Sequence, residues 1–325
     1  MTTATLNVNR LPWSDNMIEV AEGATSEQML LAAGLDWTVE FQPLYRRPSY
    51  VPVTSREPET NNEITVLAPN IGGEYHEAPD IKDVVRVPDG KTLGQVRKTY
   101  KITQNHEAYA FADHLVHTEG GRWVAAGEQY GGRVVFGVMQ LQQGTVMIGN
   151  EDPVGLYLII RTSHDGSTGI QLILTPVRLQ CENMMPAAIG RSKARWTMRH
   201  VSTLDGRLQN ARETLQISLK GMDAFQRQME ELLQVPVTDQ KAEWVLDRIM
   251  PKWARRDHHI NGIIRATHDD QLNGYAGTGY GLVNGLTDYF DHTIKRRSGA
   301  IRFSHQLEGD GAKMRTALVQ ELLHA

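Results

Sequence analysis

The sequence predicts an α+β fold in which an antiparallel sheet is followed by a helical C-terminal part. Two apolar segments, 156–160 and 170–174, flank the polar run 164–169, and this pattern is typical of a β-hairpin. Strand-like segments precede the longest helical segment and do not alternate regularly with helices, which argues against a doubly wound parallel sheet. No Gly-x-Gly-x-x-Gly segment leads from a strand into a helix, so the sequence lacks a dinucleotide-binding signature as well.

The core of this fold is expected within residues 81–235, with its elements in the order β-β-α-β-β-β-α. Pro88-Asp89-Gly90 is a turn signature between the first two strands. Asn105 is expected to cap the first helix, and Asn183 is expected to cap the second, which begins near Met184. Six segments have strand-like patterns, one more than this order has strands: 84–87, 96–102, 123–126, 133–141, 156–160 and 170–174.

Four further helices are expected outside this strand-rich region. Residues 26–33 predict a short helix with Ser26 as its N-cap. The longest helix is expected from Leu208 to Leu232, where apolar residues recur at spacings of three and four. Its narrow apolar stripe fits a helix that faces the core or, alternatively, a seam between subunits. Shorter helices are predicted for 240–249 and 280–290.

The chain is expected to consist of three parts: an acidic N-terminal extension (1–80) packed on the core, the α+β core (81–235), and a helical C-terminal region (236–325). Within the extension, residues 37–41 alternate like a strand. Residues 43–80 predict loops or an excursion from the core because they are weakly periodic and rich in Pro, Asn, Glu and Thr. The extension carries four basic and twelve acidic side chains, so its net charge is −8, whereas the remaining residues have a net charge of +4.

Composition limits the class of protein. The 325 residues, with 40% apolar and 22% charged side chains, are ordinary for a soluble globular protein. No segment approaches the ~20 apolar residues of a membrane span, and the N-terminus lacks a secretory signal, so we expect no membrane association and a cytoplasmic location. The single cysteine, Cys181, excludes an intramolecular disulfide and a Cys-rich zinc module.

Basic residues are concentrated where the last strand is expected to meet the second helix. Between Arg178 and Arg212 there are seven Lys or Arg and two acidic residues, a net charge of +5. Cationic side chains bind phosphates, and an aromatic side chain stacks on bases, so the pattern predicts sequence-tolerant binding of a nucleic acid strand; a solvated charged face is the alternative. The candidate nucleic-acid-binding residues are Arg178, Arg191, Lys193, Arg195, Trp196, Arg199, His200 and Arg207.

Other residues of catalytic type have simpler interpretations. His164 and Asp165 resemble a base and its orienting carboxylate, but an exposed histidine in a turn closed by Asp165 is favoured. Cys181 is better explained as a small buried residue than as a nucleophile activated by His200.

Metal ligands are the remaining possibility. Three clusters, 257–259, 268–270 and 291–292, contain His and Asp, the residue types of a two-metal site, but their spacing matches no tight ligand motif. Asp291-His292 also fits a structural hydrogen-bonded pair.

Several motifs resemble those of a known family. They include Ser163-His164-Asp165-Gly166, Cys181-Glu182-Asn183 and Gly279-Tyr280-Gly281-Leu282-Val283-Asn284. With these motifs the chain resembles the phage/plasmid-like proteins that carry domain of unknown function 932, a family name that states no activity. The other matching segments are 33–37, 43–45, 100–111, 175–178, 199–200 and 289–292.

The expected order of strands and helices is also similar to that of phage single-strand annealing proteins, at the level of the fold alone. That resemblance implies a homo-oligomeric ring, arc or filament with a basic groove for single-stranded DNA. Our hypothesis is therefore single-stranded DNA binding and strand annealing in bacteriophage or mobile-element recombination, without a cofactor. The alternatives are a metal-dependent nuclease and a non-enzymatic host-interaction protein of a mobile element.

Overall fold

The structure of the protein is a computed structural model that describes residues 18–73, 75–118, 120–149, 151–179, 195–198, 221–269, 274–294, 306 and 309–324. It confirms the α+β class: antiparallel sheets occupy the N-terminal and central parts of the chain, and helices occupy the C-terminal part. Among these residues, no helix has both the length and the apolar character that crossing a membrane requires.

The main sheet has five antiparallel strands in the spatial order β10-β9-β8-β7-β6. The predicted hairpin forms its centre, with Ile160 opposite Leu172. In the turn, the Asp165 Oδ1 atom accepts a hydrogen bond from the Ser167 N–H at 2.8 Å, which confirms the expected Asx-turn. The strands are β6 (Gly121–Gln129), β7 (Val134–Ile148), β8 (Asp152–Ser163), β9 (Ile170–Arg178) and β10 (Arg195–Met198).

A second sheet contains β1 (Val39–Arg46), β4 (His76–Arg86) and β5 (Lys91–Arg97) in the order β1-β4-β5. The first two strands of the expected core, β4 and β5, pair with each other, and β4 also pairs with β1, so neither belongs to the main sheet. The strand predicted for 96–102 is wrong in its bounds, because β5 ends at Arg97. The expected boundary at residue 80 falls inside β4, so the N-terminal residues share this sheet with the start of the core.

Strands β2 (Tyr50–Arg56) and β3 (Glu63–Pro69) form a separate two-stranded sheet, which we call the arm (residues 50–69). Loops or an excursion from the core were expected here: the loops are wrong for these residues, and a hairpin separate from the other two sheets fits an excursion. The apolar alternation of this hairpin is short and interrupted by proline, which conceals it in the sequence.

The N-terminal helices are α1 (Ser26–Ala32), α2 (Asn105–Tyr109) and α3 (Asp113–Thr118), with a 3-10 turn (Ala110–Ala112) between the last two. The N-cap of α1 is Thr25 and not Ser26: the Thr25 hydroxyl accepts a hydrogen bond from the Gln28 N–H. The backbone N–H and the hydroxyl of Ser26 instead donate to the Asp113 carboxylate, which ties α1 to α3. Likewise, α2 has Gln104, and not Asn105, at its N-cap.

The C-terminal region is helical, as predicted. It is preceded by α4, which covers 221–233 among the described residues; the predicted part from Leu208 to residue 220 lies outside them. Met222, Phe225, Met229 and Leu232 are buried in the main core, so this part of the stripe faces the core. The other helices are α5 (Asp239–Ile249), α6 (Arg256–Thr267), α7 (Gly279–Asp288) with a π-helical turn (Tyr289–Thr293), and α8 (Asp310–His324).

Candidate nucleic-acid interface

Arg178 does not lie on a surface that can contact phosphates, which corrects the sequence-based assignment. Its side chain is 0% exposed, at the end of β9, where every residue is buried. The Arg178 Nε atom donates to the Asp152 Oδ2 atom at 2.5 Å. A buried guanidinium requires such a partner because it loses its hydration when the chain folds.

Arg178 belongs to a buried cluster that joins the main sheet to the helical region. The Tyr280 hydroxyl of α7 donates to the same Asp152 oxygen at 2.7 Å. The Arg178 guanidinium carbon lies 5.5 Å from the centre of the Tyr275 ring, within the range of a cation–π contact. Burial raises the pKa of Asp152, and the positive charge of Arg178 opposes this shift. Burial also raises the pKa of Tyr280 well above its usual value, which keeps the hydroxyl protonated as the donor.

Arg195 and Trp196 lie on β10, a strand that the sequence analysis did not predict. Arg195 is opposite Ile173 of β9, and Met198 is opposite Ile170. Arg178 is five residues further along β9 than Ile173, which corresponds to roughly 17 Å along the strand. Arg178 and Arg195 therefore do not converge on one site.

β10 is at the edge of the main sheet, since it is the last strand in the order of the described strands. An edge strand pairs on one side, so alternate N–H groups point away from its neighbour and can donate to other acceptors. Thr197, in the middle of β10, is exposed. The other predicted residues, Arg191, Lys193, Arg199, His200 and Arg207, lie outside the described residues, as do Cys181 and Asn183.

The segment that follows Arg178 still has an excess of basic residues when Arg178 is left out. Residues 179–212 contain six Lys or Arg and two acidic residues, a net charge of +4. This segment includes β10 and surrounds it on both sides. The candidate interface is therefore the edge strand together with the basic sequence that flanks it, and no longer includes the end of β9.

His164 is buried, and the expectation that it is exposed is wrong. Its side chain is 1% exposed, and its Nε2 atom lies 2.9 Å from the Asn105 Oδ1 atom at the start of α2. Asn105 in turn donates to the carbonyl of Leu35 at 2.8 Å. The Trp37 ring packs against the imidazole, with 5.2 Å between ring centres. These contacts give His164 a structural role between the hairpin, α2 and the segment before β1.

The motifs that carry the family resemblance meet at this hairpin turn. Tyr100 donates from its hydroxyl to the Ser163 carbonyl at 2.9 Å, so the segment after β5 is fixed to the end of β8. A Cβ atom on Gly94 would lie 2.5 Å from the Asp165 Cα atom, so only glycine allows β5 to approach the turn so closely. Motifs that are far apart in the sequence thus build the contact between the two sheets.

Two of the residues considered as metal ligands, His259 and Asp291, make structural contacts, and Asp270 lies outside the described residues. The His259 Nδ1 atom is 2.8 Å from the Tyr289 hydroxyl, and burial lowers the pKa of this histidine below its usual 6.5. The Asp291 carboxylate accepts two hydrogen bonds from Arg315, at 3.0 and 3.1 Å, in a buried ion pair. Within the described part of the chain, no group of three His, Cys, Asp or Glu side chains is arranged to hold a metal ion.

Comparison with known proteins gives one match. A family model described as "Domain of unknown function (DUF932)" matches residues 92–308, about two thirds of the chain. The matched segment contains the main sheet, β10 and its basic flanks, whereas the arm lies outside it. Searches of the curated proteins and of the solved structures found no match.

Proposed function

The chain belongs to the DUF932 family, whose description states no activity, and we propose a function from its own residues. The protein binds single-stranded DNA and promotes strand annealing without covalent chemistry. The single observation that carries this proposal is the edge position of β10 within a segment of net charge +4. We further propose that it acts as a homo-oligomer in the cytoplasm, in the recombination of a bacteriophage or mobile element.

Edge geometry and charge support the proposal together. Guanidinium and ammonium groups attract phosphates, and the outward N–H groups of an edge strand are further donors for phosphate oxygens. Trp196 in the same strand supplies an aromatic ring for stacking on a base. Contacts to phosphates and to base faces leave the base-pairing edges accessible. A bound strand can therefore pair with its complement, which is the physical requirement for annealing.

The test is the binding of a fluorescent oligothymidylate, measured by anisotropy at increasing salt concentration. If about four cations contact phosphates, the affinity is expected to fall about 50-fold between 50 and 200 mM salt, because each contact releases about 0.7 counterion from a single strand. Annealing of two complementary oligonucleotides is expected to accelerate in the presence of EDTA and without a nucleotide.

Three outcomes would contradict the proposal. An affinity that does not change with salt would exclude a phosphate-dominated interface. Loss of DNA ends that requires magnesium or manganese would instead identify a metal-dependent nuclease. A protein that binds neither single-stranded DNA nor RNA would leave the interpretation as a host-interaction protein.

A further inference from the structure

The arm has no partner among the described strands other than its own two. β2 pairs with β3 over seven residue pairs, from Tyr50 opposite Pro69 to Arg56 opposite Glu63. Most of its residues are exposed, and none is buried. A two-stranded ribbon with one polar face is only marginally stable in water by itself.

The register divides the arm into two different faces. Cross-strand partners share a face, so one face contains Val51, Val53, Ile64, Val66 and Ala68, with Ser55 as its one polar member. Val53 is 43% exposed and Val66 is 51% exposed, although both are β-branched residues typical of a covered sheet. We call this surface the apolar face. It has no charged side chain, and exposed apolar patches of this kind mark interaction sites.

The opposite face carries the polar pairs of the arm toward its tip, and the apolar residues Tyr50, Pro52, Leu67 and Pro69 toward its base. The Thr54 and Thr65 hydroxyls are hydrogen-bonded at 3.0 Å. The Arg56 and Glu63 side chains form an exposed ion pair at 3.6 Å. The charged residues of the paired strands are therefore confined to this opposite face, so a partner that covers the apolar face has no charge to desolvate there.

A partner is expected to contact the apolar face and not to extend the sheet. Proline has no N–H, so Pro52 of β2 and Pro69 of β3 fit only positions whose nitrogen points away from the neighbouring strand. Each outer edge of the arm therefore lacks one donor that strand addition would need. Prolines on edge strands commonly prevent edge-to-edge pairing.

A second copy of the chain fits this face in size, polarity and charge. The tip of the arm carries Glu57 and Glu59, while Arg46 and Arg47 are exposed at its base. When two arms stack face to face in antiparallel orientation, the acidic tip of each copy lies over the basic base of the other. A two-fold axis generates such a contact from one surface, which must be self-complementary.

We propose that two copies of the protein associate by stacking their apolar faces about a two-fold axis that passes near Val53 and Val66. The strands alone cover roughly 250 Å² on each copy, or roughly 500 Å² on both copies together. The tip and base contacts must add to this area to approach ~1,200 Å², the total buried on both partners in a small specific interface. The association is therefore weak, and the dimer forms at micromolar concentration. It does not require nucleic acid, and it identifies one subunit contact of the proposed homo-oligomer.

The test is sedimentation equilibrium of the protein without nucleic acid. The protein concentration ranges from about 1 to 100 µM, the range in which an interface of this size dissociates. The wild type is expected to double in mass as the concentration rises. The variant V53E/V66K is expected to remain monomeric, because it places charges on the apolar face but keeps a favourable cross-strand pair. The matched control T54E/T65K has the same substitutions on the opposite face, and we expect it to dimerise like the wild type.

A wild type that stays monomeric, or a V53E/V66K variant that dimerises like the control, would overturn the proposal. If V53E/V66K fails to fold, Val53→Cys is the second test. Residue 53 lies near the two-fold axis, but stacked sheets are about 10 Å apart, too far for a disulfide. In a Cys181→Ser background, a bis-maleimide linker of about 10 Å is therefore expected to join two Val53→Cys chains, whereas Thr54→Cys should give no covalent dimer; equal yields would also overturn the proposal. The DNA affinity of the monomeric variant, measured separately, distinguishes failure of this contact from failure of the proposed function.

Discussion

Replacing Arg178 by alanine is expected to lower the free energy of unfolding by about 3–5 kcal/mol, the cost of leaving one charge of a buried pair without its partner. Arg178 and Asp152 are both 0% exposed, and removal of the guanidinium leaves the carboxylate buried with Tyr280 as its remaining donor. The lost contact with Tyr275 adds to the effect. Urea denaturation followed by circular dichroism measures the change.

The Arg56–Glu63 pair provides a matched control. It has the same charge types, but its side chains are 67% and 66% exposed. Arg56→Ala is therefore expected to change stability by less than ~1 kcal/mol. The double variant R178M/D152N, which removes both charges, is expected to recover part of the loss and to bind DNA like the wild type. A small effect of Arg178→Ala, or DNA binding that is lost in the folded double variant, would restore Arg178 to the interface.

The double variant R195A/R199A is expected to bind single-stranded DNA about 10- to 100-fold more weakly at 50 mM salt than the wild type. Loss of two phosphate contacts lowers the slope of log affinity against log salt by ~1.4, so the difference is expected to shrink as salt rises. The loss should be similar for every DNA sequence, because phosphates carry no sequence information. Anisotropy titrations with oligothymidylate and with a mixed-sequence strand measure both properties.

A control with the same change in net charge is K252A/R265A, at two exposed basic residues of the helical region. This variant is expected to bind within about twofold of the wild type, since general attraction contributes little once specific phosphate contacts exist. If both double variants weaken binding equally, the effect is one of net charge alone, and β10 has no special role.

Local sequence patterns were sufficient to predict the strands and helices whose formation depends on residues close together in the chain. The hairpin of β8 and β9 was predicted because two apolar segments flank a polar run in which Asp165 and Gly166 suit a turn. Helices α5 and α7 were predicted at 240–249, before Pro251, and at 280–290. In each of these cases the residues that determine the element lie within it.

Burial of charged and polar residues was not predicted, because their partners are distant in the sequence. Arg178 binds Asp152, 26 residues away, and Tyr280 reaches the same carboxylate from 128 residues away. His164 and Asn105 are 59 residues apart. One signal was accessible: counting the register back from the hairpin turn places Asp152 within two residues of the position opposite Arg178, so their pairing could have been inferred.

The arm was missed for a different reason. Its strands bury little within one chain, so their residues are mixed with the Pro, Asn and Glu that are typical of loops. Strand β10 was missed because four residues are too few to show a period.

The most direct test of the central claim is photo-cross-linking of the wild type to an oligothymidylate that contains 4-thiothymidine, followed by peptide mapping. We predict that the cross-linked peptides fall within residues 191–212, with Trp196 among the modified positions. Cross-links confined to the helical region 239–324, or binding without any cross-link in 191–212, would contradict the account.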